Sequence, residues 1–267
     1  MGRTILVAGA SGVIGRRLVP LLVDAGHEVV GTTRTEQGAR TLRELGAKPV
    51  VVDVLDAEAL LRAVTSTGPE VVMHQLTALS AFRDGRVEEA LAANAHVRTV
   101  GTRNLVNAAL AAGTRRMIAQ SIAWVYAPRS PQPHAETDPL DLHADGIRGV
   151  TVRGVAALED AVLRFPVEEA QSLEHPRAGD GVRCPGGVVL RYGRFYGPGT
   201  GRDDPPDAPA VHVDAAAHAA LVALERGDAG AIFNIAEPGE AVSTAQAATV
   251  LGFRPDFRVP QRLLRER

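Results

Sequence analysis

The sequence predicts an α/β fold: a doubly wound parallel sheet of about seven strands with a small carboxyl-terminal substrate lobe. Three observations carry this. Short apolar runs alternate with helical patterns through the first half of the chain. Runs such as Val50-Val51-Val52 and Val71-Val72-Met73 are apolar on both faces, as strands covered by helices on each side must be. The first run leads into Gly9, Gly12 and Gly15 and then into a helix.

Taken in order, strand-like runs fall at 4–8, 28–33, 49–54, 70–76, 117–122, 187–192 and 231–236. Helical patterns lie between the early ones at 13–25, 36–46 and 56–67, and a longer one covers 86–113. Residues 127–148 hold prolines at 128, 131, 133 and 139 and read as a loop over the active-site edge. A helix follows at 150–165. Residues 171–187 and 197–210 are further loops rich in glycine and proline. These three loops form a reduced substrate lobe and leave little room for an independent second domain, so residues 1–267 read as a single dinucleotide-binding Rossmann domain.

The glycine run is the chemically informative segment. Gly9 allows a turn that a Cβ would hinder. Gly12 leaves room for a pyrophosphate, whose charge meets the free N–H groups at the start of the helix. Gly15 lets that helix pack close to the strand. Ser11, Val13 and Ile14 complete the loop. Further cofactor contacts are expected at the carboxyl ends of the next strands: Arg34 after the second, Asp53 and Val54 after the third, and Gln75, Leu76 and Thr77 after the fourth.

Bulk properties bound the function. Hydrophobic residues make up 45% and charged residues 22%, ordinary proportions for a globular protein. The formal net charge of -2 gives no electrostatic reason to bind nucleic acid or an anionic membrane. Cys184 is the one cysteine, so no internal disulfide forms, which fits a cytoplasmic protein. No apolar run is long enough to span a bilayer, and the chain starts with a strand and Arg3 rather than a signal peptide. The histidines show no zinc-type spacing, and no metal is expected.

The tip of the second strand governs cofactor choice. An acid there binds the ribose hydroxyls, whereas an arginine accommodates a 2′-phosphate. This chain reads Gly31-Thr32-Thr33-Arg34, with Arg16 as a second candidate cation, and so favours NADP, with NAD as the alternative. Asp53 is placed to meet the adenine edge or to cap the helix near residue 56.

The ordered series Gly9–Gly15, Val52-Asp53-Val54, Gly101-Thr102-Arg103-Asn104-Leu105, Gln120-Ser121-Ile122-Ala123-Trp124-Val125-Tyr126, Leu190-Arg191-Tyr192-Gly193-Arg194-Phe195-Tyr196-Gly197-Pro198-Gly199, His212-Val213-Asp214 and Phe233-Asn234-Ile235 resembles the extended short-chain dehydrogenase/reductase family, which includes NAD(P)-dependent epimerases and dehydratases. The resemblance implies hydride chemistry on a small carbonyl or sugar-like substrate. It also implies a homodimer through the helices 86–113 and 150–165.

That family's proton relay is a Ser or Thr with a Tyr-x-x-x-Lys pair, in which the Lys lowers the Tyr pKa. The chain contains no Tyr-x-x-x-Lys. Aligned on Glu159, the Tyr position falls at Thr151 and the Lys position at Val155, and the serine position falls near Ile122. Tyr126 and Ser121 are the remaining catalytic candidates, and Trp124, Arg191, Phe195 and Tyr196 are candidates for the substrate pocket. Two readings stay open: an enzyme with an altered relay, or a non-catalytic dinucleotide-binding sensor or regulatory protein.

Overall fold

In a computed structural model, residues 2–78, 85–128, 131–166 and 185–264 are described. Seven strands form one sheet: β1 (Thr4–Ala8), β2 (Glu28–Thr33), β3 (Lys48–Val51), β4 (Val71–His74), β5 (Arg116–Ile122), β6 (Gly186–Tyr192) and β9 (Ile232–Ile235). Their order is β3-β2-β1-β4-β5-β6-β9 and every pairing is parallel. The winding reverses between β1 and β4, which opens a crevice at their carboxyl ends. A second, two-stranded parallel sheet joins β7 (Arg194–Tyr196) to β8 (Ala210–His212).

The pleat sends alternate residues to opposite faces. On one face Ile5, Val7, Met73, Ile118 and Leu190 pack with Leu18 and Leu22 of α1 (Gly15–Asp24) and with α7 (Val213–Arg226). On the other, Leu6, Ala8, Val72, Met117 and Val189 pack with Leu60 and Val64 of α3 (Ala57–Thr67), Leu105 of α5 (Thr102–Ala111) and Leu158 of α6 (Gly146–Leu163). This is why the central strands read as continuous apolar runs.

Local signals set the helix starts. Thr35 caps α2 (Glu36–Glu44) by accepting from the Gly38 N–H at 3.0 Å. Asp56 caps α3 by accepting from the Ala59 N–H at 3.0 Å. Asp53 is therefore not the cap; its carboxylate accepts from the Leu55 N–H at 3.0 Å and closes the turn before it.

Two differences from the sequence expectation have clear causes. The predicted helix 86–113 is α4 (Val87–His96) and α5 joined by a π-helical stretch, Val97–Gly101. Helix α7 went unpredicted because Ala215, Ala216, Ala217, Ala219, Ala220 and Ala223 are all buried and leave no polar stripe to show a helical period. Its last turn is held by the fully buried Arg116 of β5, which donates to the Ala223 carbonyl at 2.6 Å and to that of Gly227. Of the predicted loop 171–187, residues 171–184, Cys184 included, lie outside the described residues; Pro185 precedes β6, and Gly186 and Gly187 begin it.

His74 ties β4 to α5. It is fully buried, its Nδ1 accepts from the Leu76 N–H at 3.3 Å, and its Nε2 therefore donates to Thr102 Oγ1 at 2.8 Å. Burial, with a lesser push from Arg98, lowers its pKa from 6.5 to about 4. The unfolded chain then binds more protons than the fold between those two values. The stability that His74 supplies is complete above the unfolded value and is lost as pH falls towards the folded one. Urea unfolding is expected to lose up to about 3 kcal/mol more in the wild type than in His74→Gln between about pH 7 and about pH 4. Equal acid sensitivity in the two proteins would contradict a neutral, buried His74.

Candidate functional site

A cleft of about 170 Å³ lies at the carboxyl ends of β1 to β4. Among its lining residues are Gly9, Ser11, Gly12, Arg34, Asp53, Val54, Gln75, Leu76 and Thr77, all expected from the sequence. Ala8, Thr32, Thr33, Val52, Leu55, Leu60 and Val97 complete the lining, and of these the two threonines stood beside Arg34 as a visible polar signal. Gly9 adopts φ +85°, where a side chain is strained, and its N–H donates to Thr32 Oγ1 at 3.3 Å. Ser11 Oγ lies 3.1 Å from Thr33 Oγ1 and ties the loop to β2.

Val13 lines a neighbouring cavity of about 600 Å³ on the outer side of the loop, together with Arg16, Arg17, Pro198 and Gly199. Ile14 and Gly15 line neither cavity. The Ile14 side chain is 3% exposed and belongs to the core. A Cβ on Gly15 would stand 2.3 Å from the Ala10 carbonyl oxygen, so that glycine serves close helix–strand packing. What these residues can offer a ligand is the unpaired backbone N–H groups of the first helical turn.

The cleft fits a dinucleotide. Its floor is a glycine loop at a helix N-terminus, where an anion is favoured by free N–H groups and the helix dipole. In its wall both side-chain amide atoms of Gln75 are buried without a hydrogen-bond partner. Gln75 faces the Tyr192 hydroxyl, which is likewise sealed and without a hydrogen bond, and burial raises the Tyr192 pKa.

Beyond the cleft, over β5, β6 and β9, stands a buried polar network. Register places Ser121, Arg191 and Asn234 side by side on one face. Arg191 grips Glu159 of α6 through two hydrogen bonds, at 2.9 and 2.7 Å. Both side chains are about 5% exposed. Ser121 Oγ donates to the same carboxylate at 2.6 Å. The Tyr126 hydroxyl donates to Asn234 Oδ1 at 2.6 Å and accepts from Arg191 at 3.0 Å. Burial by itself would lower the Arg191 pKa, but the pairing with Glu159 and the contact with Tyr126 outweigh it and raise it. Burial pushes the Tyr126 pKa up against the opposing effect of Arg191.

The sequence-predicted catalytic pair is thus brought together, but as part of this network. Ser121 is 1% exposed and Tyr126 4%, and both hydroxyls are engaged. Arg191, expected in the substrate pocket, is 3% exposed with its donors directed to Glu159, Tyr126 and the Glu136 carbonyl. Trp124 is partly exposed, with the Arg194 guanidinium 5.0 Å over its ring. Phe195 leans on Tyr192 with ring centroids 5.5 Å apart. Tyr196 donates to the Glu237 carboxylate and meets His212 edge-on, and burial followed by Glu237 raises its pKa.

The positions that resemble the family's serine and lysine are apolar and adjacent. Ile122 and Val155 share one buried cluster with Val125 and Val152. The chain has a single lysine, Lys48, which sits in β3 at the sheet edge and pairs with Glu28.

The loop after β5 folds back over the network. Glu136 accepts from the Asn234 N–H at 2.9 Å, and Asn234 Nδ2 donates to the His134 carbonyl at 3.3 Å. His134 stacks on Tyr126 with centroids 4.8 Å apart. A strap covering the ends of β6 and β9 results.

Comparison with known proteins agrees with this architecture. A 3-diazoavenalumate denitrifying reductase from a Streptomyces species is 45% identical over 198 residues, covering 74% of this chain and 58% of that protein. Cinnamoyl-CoA reductase 1 of Petunia hybrida is 32% identical over 145 residues, covering 51% of this chain and 40% of that protein. The chain therefore spans little more than half the length of the first of these relatives. Among solved structures, UDP-glucose 4-epimerase of Thermotoga maritima with UDP-glucose superposes with a TM-score of 0.71 at 20% identity, covering 98% of this chain and 96% of the other. The family model for the NAD dependent epimerase/dehydratase family matches residues 5–145. That match takes in the glycine loop and the first five strands of the sheet, and the chain belongs to the NAD dependent epimerase/dehydratase family.

Proposed function

We propose that the chain is a nicotinamide-dependent reductase whose substrate is an arenediazonium, an acceptor that needs no proton from the protein. The carrying observation is the apolar cluster of Ile122, Val125, Val152 and Val155 at the positions where the family resemblance calls for a serine and a lysine. Reduction of a carbonyl builds negative charge on oxygen and calls for a donor within hydrogen-bond reach. Here the three tyrosines are otherwise occupied: Tyr126 in the network, Tyr196 on Glu237, and Tyr192 sealed in the core. A diazonium already carries positive charge, so hydride transfer discharges it. The name of the Streptomyces relative, a denitrifying reductase of a diazo compound, supports the same reading. Aliphatic diazonium ions lose N2 before they can bind, which leaves the aromatic class.

The bound cofactor would supply one hydride. The terminal nitrogen of the substrate accepts it, and the resulting diazene releases N2 as its hydrogen ends on the ring carbon. One diazonium and one reduced cofactor thus give one arene, one N2 and one oxidised cofactor, with no external proton. Gly9, Ser11, Gly12 and Val13 would hold the pyrophosphate, and Gln75, Leu76 and Thr77 would border the path of the dinucleotide across β4. Arg34 stands in the cleft wall with no acid at the tip of β2, which supports NADP over NAD. Trp124 offers a partly exposed ring against which an arene can stack. Tyr126, Ser121 and Arg191 act as supports of that wall rather than as acids. The outer faces of α4 and α6, with exposed Ala92, Ala93, Ala157 and Val150, remain our proposed homodimer surface.

The decisive experiment uses benzenediazonium and reduced cofactor deuterated at the transferable position. Benzene and oxidised cofactor are expected in equal amounts, formed faster than in a protein-free control and more slowly than with undeuterated cofactor. If the protein adds nothing to that rate and instead reduces aldehydes or ketones, the proposal fails. Failure with every acceptor despite tight cofactor binding would favour the sensor.

Two variants sharpen the assignment. Tyr126→Phe should leave turnover near that of the wild type and lower stability by about 1–3 kcal/mol through the lost buried hydrogen bonds. A large loss of turnover in a folded Tyr126→Phe would restore Tyr126 as the proton donor. Arg34→Ala should weaken NADPH by about tenfold and leave NADH unchanged, as read by calorimetry. A wild type that already prefers NADH would remove the phosphate contact.

A further inference from the structure

Among the described residues, Arg98 is a buried cation with no hydrogen-bonded partner. It lies in the π-helical stretch and is 6% exposed. It forms no hydrogen bond or ion pair with any described residue. Burial draws its pKa down to about 10, with Glu159 opposing, so it stays charged at neutral pH. A desolvated guanidinium left unpaired is costly, and proteins keep one where something binds it.

Its position indicates what that something is. The neighbouring residue Val97 lines the dinucleotide cleft. Arg98 itself is in electrostatic reach of His74 at the end of β4 and of Glu159 on α6. Residues one turn to either side, Asn94 and Thr102, are also buried and polar. Arg34 and Asp53 put the adenosine half of a dinucleotide over β2 and β3, which leaves the ends of β4 and β5 to the reacting half and the substrate. Glu159 is already held by Arg191 and Ser121. With His74 neutral, the two buried arginines share one fully buried carboxylate, and a second acid, Glu136, lies on the Tyr126 and Asn234 side of the network. Helix bulges of this π type occur often at functional sites.

We propose that Arg98 anchors an anionic oxygen of the substrate, a carboxylate or phenolate on the arene, so that the chain selects acidic arenes. This rests on the reading of the site as a hydride-transfer pocket and adds the substrate's second functional group. The anchor would also orient the molecule, since a diazonium is repelled by the same guanidinium and turns away from it.

The test is calorimetric titration of benzoate and of its neutral isostere benzamide into the chain saturated with oxidised cofactor. Wild type is expected to bind benzoate at least about tenfold more tightly than benzamide. Arg98→Gln should erase that preference, Arg98→Lys should keep part of it, and cofactor affinity should be the same in all three. The proposal is overturned if wild type binds the two alike or binds neither, or if Arg98→Gln keeps the preference. It is equally overturned if the loss falls on cofactor affinity measured without benzoate, which would make Arg98 a cofactor residue. Should Arg98→Gln fail to fold by circular dichroism, the wild-type comparison and Arg98→Lys decide. No hydride moves in these titrations. A chain that prefers benzoate yet leaves benzenediazonium intact would sink the diazonium reading and keep this one.

Discussion

The ion pair between Arg191 and Glu159 organises the carboxyl ends of β5, β6 and β9. It joins β6 to α6, and through Ser121 it reaches β5. Through Tyr126 it reaches Asn234 on β9, and through the Glu136 carbonyl it holds the loop that closes over the strand ends. Four elements and a loop thus depend on two charges taken out of water. Such a pair adds little net stability over an apolar replacement, but loss of one partner strands the other charge and costs about 3–5 kcal/mol. Its worth is positional: the guanidinium fork fixes angles that apolar packing would leave loose.

Polar groups at this end are spent on architecture, and the faces from which the resemblance would lead one to expect a proton relay are apolar. The replacement is internally consistent. An isolated serine or lysine among Ile122, Val125, Val152 and Val155 would be an unpaired buried group, whereas two apolar side chains in contact leave none. On the reading proposed above, such a site would have given up acid–base work and kept binding. It would then be restricted to acceptors whose own electronics drive the hydride step, and the identity of the acceptor would become a question of shape and charge in the pocket.

The alternation of Val-rich runs with helical periods, and the three glycines, made the sheet and the cleft legible in the sequence, because both are written in local pattern. Nine of the predicted cofactor residues line the cleft for that reason. The network was not legible. Ser121 meets Glu159 across 38 residues, Tyr126 meets Arg191 across 65, and Tyr126 meets Asn234 across 108. Nothing in the neighbourhood of either hydroxyl indicates that it is occupied, so both read as free nucleophiles or acids. Helix α7 was hidden by the opposite problem, uniform burial of alanine. The significance of Arg98 was hidden because a lone arginine in a helical pattern is nearly always solvated, and only the packing of α4 and α6 around it takes the water away.

Having one lysine has a practical side. Lys48 begins the edge strand β3, at the amino end of the sheet and away from the cleft, with its side chain 74% exposed. Among side chains, amine-selective reagents therefore have one address. A fluorophore attached there would sit on the sheet's far margin from β5, β6 and β9 and would leave the cleft uncrowded. Enzymatic tagging that requires lysine, ubiquitin-type conjugation included, meets the same single point of attachment.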